Sequence, residues 1–259
     1  MTFRFLAALL LIPSLSCRHS EAVPGAAGVS LPTDWLTRTP AGFEALLERE
    51  FPDDQATREL DDLTLDALLA ALRLPELPPG DPQQPNTREA ADVQRALRAV
   101  LVLTRSHDSR TPELLLAQLE ERRSHPGRAD DAADCVAAAY FSTLEAHPDS
   151  ARFASALGAL SEGERAHPDI EVATECALAA FALGRRESLP FLLRVARIGT
   201  PSAEREGRLT DSPTTAWIRG RAIDALRRDL DLPLEPFTDL SATEREAIVD
   251  DLERRLQGG

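Results

Sequence analysis

Ile218-Arg219-Gly220-Arg221-Ala222-Ile223-Asp224-Ala225-Leu226 puts apolar residues at positions i, i+4, i+7 and i+8 counted from Ile218. A helix turns once every 3.6 residues, so Ile218, Ala222, Ala225 and Leu226 share one face. The same offsets recur upstream. Val93, Leu97, Val100 and Leu101 occupy them first, then Asp131, Cys135, Ala138 and Ala139, then Val172, Cys176, Ala179 and Ala180. The four anchors lie 38, 41 and 46 residues apart. Asp131 is the one polar residue in the set. A second apolar segment follows each of these helices, near 112–123, 150–160, 188–198 and 242–256. Boundary signals agree with these limits. Thr111-Pro112 and Ser212-Pro213 place a capping residue before a proline, and Ser241-Ala242-Thr243-Glu244 has the spacing of a capping box.

A chain of helix pairs repeating about every 40 residues cannot bury its apolar faces one pair at a time; each pair needs a neighbour to cover it. The expected fold class is therefore all-α, a short solenoid of antiparallel helix pairs over 88–256. Composition points the same way. Hydrophobic residues make up 43% of the chain and aromatics only 5%, the apolar content being mostly Ala and Leu, which favour helices over pleated strands. The stretch 218–226 resembles the first helix of a HEAT repeat, where an aliphatic-Arg pair is followed by Ala and Ala-Leu at these offsets. Val93-Gln94 echoes it loosely. The resemblance covers about 88–256; it implies scaffolding and protein binding and carries no catalytic residues.

Ahead of the repeats the chain changes character several times. Arg4, the apolar run Phe5 to Ile12, Pro13 and then Ser14-Leu15-Ser16-Cys17 follow the plan of an export signal. The apolar run is too short to span a bilayer as a permanent helix. This stretch resembles a bacterial lipoprotein signal, which implies removal of 1–16 and lipid attachment at Cys17. It departs from that pattern in having Ser14 three residues before the Cys, where Leu is usual. Secretion without lipid is the alternative. Residues 17–33 read as a flexible tether. Residues 34–73 read as an N-terminal helical segment with helices near Ala41–Glu50 and Thr57–Arg73, the second with an apolar stripe of Leu60, Leu63, Leu68, Leu69 and Leu72. Five prolines and a glycine make 74–87 a linker.

Charge excludes some partners. The net charge is −14, and every basic residue is an arginine. Acidic bulk repels phosphate backbones, so nucleic acid is not an expected partner. His107, His125, His147 and His167 fall at turns and read as solvated, with no spacing for a metal site; no cofactor and no metal are expected. None of the short motifs of hydrolases, zinc proteases, nucleotide-binding loops or dinucleotide-binding folds occurs, so the chain is not expected to be an enzyme, a site assembled between helices being the alternative. Cys135 and Cys176 hold the same position in successive repeats. Helix axes pack about 8–10 Å apart, which is too far for a disulfide, so both read as buried thiols.

Ten arginines stand against five acids between Arg185 and Arg228. Two readings compete there: ion pairs with neighbouring helices, and a docking face for an acidic protein. The docking reading selects Arg194, Arg197, Trp217, Arg219 and Arg221, with Trp217 off the core stripe and next to the long connector Gly199–Ser212. The resulting expectation is an exported, lipid-anchored envelope protein that binds a protein partner or acts as a scaffold; a passive spacer is the bland version.

Overall fold

The computed structural model describes residues 28–52, 57–73, 90–124, 131–205, 213–234 and 240–258. Among them the fold is all-α. Eleven α-helices run in order: α1 (Pro40–Glu50), α2 (Asp62–Leu72), α3 (Ala90–Ser106), α4 (Thr111–Ser124), α5 (Asp131–Tyr140), α6 (Ser150–Ser161), α7 (Ile170–Ala182), α8 (Leu189–Ala196), α9 (Pro201–Arg205), α10 (Pro213–Asp229) and α11 (Ala242–Gly258). Extended pairing among these residues is confined to an isolated bridge between Val29 and Leu60. The chain divides into two compact units, Met1–Ser150 and Ala151–Gly259.

The helices begin and end for local reasons. Thr39 caps α1 through the N–H of Gly42, with Pro40 at the first helical position. Asp61 accepts the N–H of Thr64 at 2.6 Å and caps α2. Asp169 accepts from Glu171 and Val172 and caps α7. The Ser241–Glu244 capping box is closed in both directions: Ser241 N–H donates to the Glu244 carboxylate at 2.8 Å, and Glu244 N–H donates to Ser241 Oγ at 3.3 Å. Two Ala-His-Pro-Asp corners, at 146–149 and 166–169, flank α6 in sequence. In each, the histidine Nδ1 accepts the N–H of the following aspartate, at 3.1 and 3.2 Å.

In unit 1, α3 packs against both α2 and α5, and α4 packs on α5. Ala96, Ala99, Val100, Val102 and Leu103 of α3 are buried together with Leu115 and Leu119 of α4 and Ala133, Cys135 and Ala137 of α5. The chain N-terminal to α1 is bound to this body. Val29 exchanges backbone hydrogen bonds with Glu59 and Asp61, and Leu31 N–H donates to Thr64 Oγ1. Residues 28–33 are therefore no part of a tether, and the tether reading of 17–33 is corrected there. The rest of it, with Cys17, lies outside the described residues, as does the linker 74–87.

Helix α2 also differs from expectation. It starts at Asp62 rather than Thr57, because Leu60 is taken up by the bridge to Val29 and Asp61 caps the helix. Its buried face is then Thr64, Leu65, Leu68, Ala71 and Leu72, while Leu63 is 82% exposed. The stripe shifted because Leu60, counted as its first member, is not in the helix.

Two arginine clusters hold the opening stretch. Arg98 of α3 is buried and donates to three backbone carbonyls, Trp35 (3.3 Å), Leu36 (2.6 Å) and Arg38 (2.7 Å). Its guanidinium lies 4.9 Å from the centre of the Phe43 ring. At the α3–α4 turn, Asp108 is buried and pairs with Arg110 through two hydrogen bonds of 2.9 and 2.7 Å. Asp108 also accepts Leu60 N–H, and Arg110 donates to the Leu60 carbonyl, so the pair grips the 57–61 stretch by both backbone groups of one residue. Burial alone would push the Asp108 carboxyl up. The hydrogen bonds from Arg110 and from the N–H groups of Leu60 and Arg110, with the Arg110 charge, outweigh it and hold the carboxyl below its ordinary value.

In unit 2 one core cluster joins four helices. Ala173, Ala177 and Leu178 of α7, Phe191, Leu192, Val195 and Ala196 of α8, Ile218, Ala222, Ile223 and Leu226 of α10, and Val249 and Leu252 of α11 are all buried in it. Helix α10 packs on α7 and α8, and α11 on α8, α9 and α10. The connector Gly199–Ser212 is not plain loop: it carries α9, with 206–212 outside the described residues.

Arg98→Met keeps the apolar stem and removes three charge-assisted bonds to buried or half-buried carbonyls. It should lower the unfolding free energy by about 2–4 kcal/mol, read as a shift in the denaturation midpoint. For Asp108→Asn the pH profile is the test. A carboxyl whose folded pKa is depressed stabilises the fold above its unfolded value, ~4, and that contribution fades as pH falls through the folded value. The stability gap between wild type and variant should be widest above about pH 5 and close on acidification; a gap that widens in acid would contradict this assignment.

Candidate functional site: the arginine-bearing surface of unit 2

Of the five residues selected from sequence, Arg194 lies on α8, Arg197 just past its end, and Trp217, Arg219 and Arg221 on α10, and each has a place in the unit. Arg194, on the last turn of α8, pairs with Glu162 just past α6. Arg197 follows α8 and reaches two carboxylates of α11, Asp250 at 2.7 Å and Glu253. Burial pulls the Arg197 guanidinium down, and its bonds and charge interactions with these two acids more than reverse that, so it is held above its ordinary value.

Arg219 is buried, and its Nη1 donates to the carbonyl of Ile198 at 2.9 Å. Arg221 makes a two-pronged pair with Glu175 of α7, 2.9 Å from Nε to Oε1 and 2.8 Å from Nη2 to Oε2. Glu175 is fully buried. A carboxylate removed from water needs a partner of this geometry, because the desolvation cost is otherwise several kcal/mol. Trp217 is half-buried and packs against the unit 2 core, although the helical wheel puts it off the stripe. The five thus do not form one bare face: Arg219 and Arg221 point inward to a carbonyl and a buried acid, and Trp217 covers the core.

The C-terminal end of α8 shows why. Its last carbonyls have no partner within the helix. Arg219 takes the Ile198 carbonyl, and Arg245 of α11 takes that of Gly199 at 3.0 Å. Arg245 also donates to Leu240, and Arg227 to Pro233, so the turns entering and leaving the α10–α11 connection are held the same way. Asp224 sits among Arg221, Arg227 and Arg228; burial raises its pKa against the pull of those three charges.

Several arginines stay outward, Arg186 and Arg194 among them. Arg186 is 61% exposed; it pairs with Asp229 at 2.5 Å and lies 5.1 Å from the centre of the Phe181 ring. Arg194 is 38% exposed and lies 5.6 Å from the centre of the Phe191 ring. Sequence reading picked Arg194 and passed over Arg186. The signal available for both was an arginine three or five residues from a core-facing Phe.

Elsewhere in unit 2 a cleft of about 330 Å³ lies between the end of α10 and α11, lined by Leu232, Pro233, Ile248 and Leu252 with Arg227, Asp251 and Arg255 at its edge. Its Asp251 is taken by Arg255 and Arg254, and Arg227 by the Pro233 carbonyl. Among the described residues no group of three or more His, Cys, Asp and Glu is placed to hold a metal ion. His167, read as solvated, is buried against Leu160, to whose carbonyl its N–H donates; His107 lies at a left-handed turn (φ 49°) with its ring 6.5 Å from that of Tyr140. His125 is outside the described residues. Cys135 and Cys176 are buried thiols, in unit 1 and unit 2 respectively. Among the described residues no helix is long and apolar enough to cross a membrane. Comparison with known proteins finds no family model, no curated protein and no solved structure that matches this chain.

A double-mutant cycle on the α7–α10 pair separates structure from docking. Arg221→Ala strands a fully buried carboxylate and should cost about 3–5 kcal/mol. Glu175→Ala strands an arginine that is partly in reach of water and should cost less. Replacing both should recover part of the loss, and an additive cycle would show that the pair does not hold the helices together.

Proposed function

We propose that this chain is an exported envelope protein, anchored through lipid on Cys17, that binds an acidic protein partner on the outward arginines of unit 2 and serves as a binding or scaffold component. The observation that carries the docking part is the seating of Arg186 and Arg194. Each guanidinium rests near a phenylalanine ring of its own unit, which fixes its direction, while its carboxylate partner is at the surface. Exposed ion pairs are worth ~0–1 kcal/mol, so an incoming acidic group replaces Asp229 or Glu162 at little cost. Arginine is also among the residues most enriched at binding hot spots. On this reading Arg197, Trp217, Arg219 and Arg221 shape and brace the surface from behind.

The helix-pair solenoid of HEAT type remains part of the proposal. Its support is the recurrence of the i, i+4, i+7, i+8 pattern and the packing of α10 on both α7 and α8. The anchoring part is supported by the order of charge, apolar run, small residues and Cys17 in the first 17 residues.

Cys17→Ser should move the protein from the membrane to the soluble fraction, and the mature wild type should outweigh the bare chain from Cys17 by a diacylglycerol or more. An unmodified mature N-terminus would remove the anchoring part. For docking, Arg186→Ala with Arg194→Ala should cut partner capture from the protein's own membranes by tenfold or more and leave the melting temperature within a few degrees, as loss of two surface pairs allows. Unchanged capture would remove Arg186 and Arg194 from the site.

A further inference from the structure

Leu63 is the most exposed large apolar side chain among the described residues. It lies in the first turn of α2, and Ala67 and Ala70, one and two turns on, are exposed with it on the same side of the helix. The chain leading in from the N-terminus meets unit 1 at this end. Val29 is bridged to Leu60, and a Cβ on Gly28 would lie 2.8 Å from Asp61 N, two residues from Leu63. From Cys17 to Gly28 there are eleven residue steps. Fully extended they reach at most about 40 Å, somewhat more than the ~30 Å diameter of a small domain. A chain of that length anchored by lipid at Cys17 keeps the Leu63 end of unit 1 within about 40 Å of the headgroups.

We propose that the exposed face of α2 around Leu63 rests on the lipid surface, with Leu63 entering the interface between headgroups and acyl chains. The proposal rests on the lipid anchor at Cys17 and adds to it an orientation of unit 1. One leucine is far too little to bring a free protein to a bilayer. Behind a short tether the contact becomes intramolecular, and the effective concentration of the surface, in the millimolar range for short linkers, populates a contact that is negligible otherwise. The rim selects the lipid. Asp62 and Asp66 flank Leu63 and are exposed, the Asp62 side chain almost fully, with Arg110 paired to Asp62 at 3.1 Å. An acidic rim is repelled by anionic headgroups, so the surface it fits is zwitterionic.

The test uses the full lipidated protein in phosphatidylethanolamine–phosphatidylcholine vesicles with bromine on the acyl chains. A fluorophore is placed at Leu63→Cys or, as control, at the exposed Glu121→Cys on α4; Cys135 and Cys176 are buried. Quenching at position 63 should exceed that at 121 by at least twofold, and should fall when phosphatidylglycerol replaces half the lipid. The same probe on Cys17→Ser protein should show no quenching. Equal quenching at 63 and 121 in protein that floats with the vesicles overturns the docked orientation and leaves the anchor standing. Stronger quenching in phosphatidylglycerol overturns the choice of zwitterionic lipid. Protein whose mass shows no acyl group, and which does not float, overturns both.

Discussion

Backbone carbonyls at the ends of helical turns must find donors wherever side chains cover them, and in this protein arginines from other elements supply many of those donors. Arg98 serves three carbonyls of the stretch before α1. Arg110 serves Leu60, Arg219 serves Ile198, and Arg245 serves Gly199 and Leu240. A guanidinium has five N–H donors in a rigid fork and remains charged in any protein setting. It can therefore satisfy two or three acceptors at once, or a carbonyl and a carboxylate together as Arg110 does. A lysine ammonium at Arg98 would be a compact, strongly hydrated charge on a flexible stem, without a planar fork to span the three carbonyls. The absence of lysine from the sequence suits this mode of fastening, whatever else shapes the composition.

This fastening explains why charge in unit 2 was ambiguous at first reading. An excess of arginine over acid between 185 and 228 counts side chains and ignores main-chain acceptors. Once the carbonyls of Ile198 and Pro233 are included, part of the excess is accounted for inside the unit. Acids from outside the segment account for more: Glu162, Glu175, Asp229, Asp250 and Glu253 all receive arginines from within it. What remains for an outside partner is a smaller set of outward guanidinium groups.

The helices between 90 and 258 were legible because their signals are local. Apolar spacing placed α3, α5, α7 and α10, and proline and capping residues placed the starts of α4 and α11. The polar exception Asp131 turns out to be the first residue of α5. What could not be read depends on distant partners. Leu60 looks like a helix residue until Val29 pairs with it. His167 looks like a solvated turn residue until Leu160 covers it. Arg219 and Arg221 stand two apart on one helix and the sequence reading assigns both to the docking face, yet one meets a carbonyl and the other a buried carboxylate, because different neighbours lie over them. Apolar spacing says where helices lie; it does not say which atom of a neighbouring helix faces a given side chain.

The clamp on the opening stretch also sets an order of events during synthesis. Residues 35–38 are held by Arg98, some 60 positions later, and Leu60 by Asp108, 48 positions later. A ribosome delivers the chain from its N-terminus, so the first described residues emerge long before the side chains that fasten them. Closing loops of that length has to wait for the later segment and costs entropy before any contact repays it. The opening of unit 1 is thus not fastened until Arg98 and Asp108 have been made. A nascent chain that ends short of Asp108 still lacks the lock on Leu60, and on the export route proposed above such a delay keeps the leading end threadable.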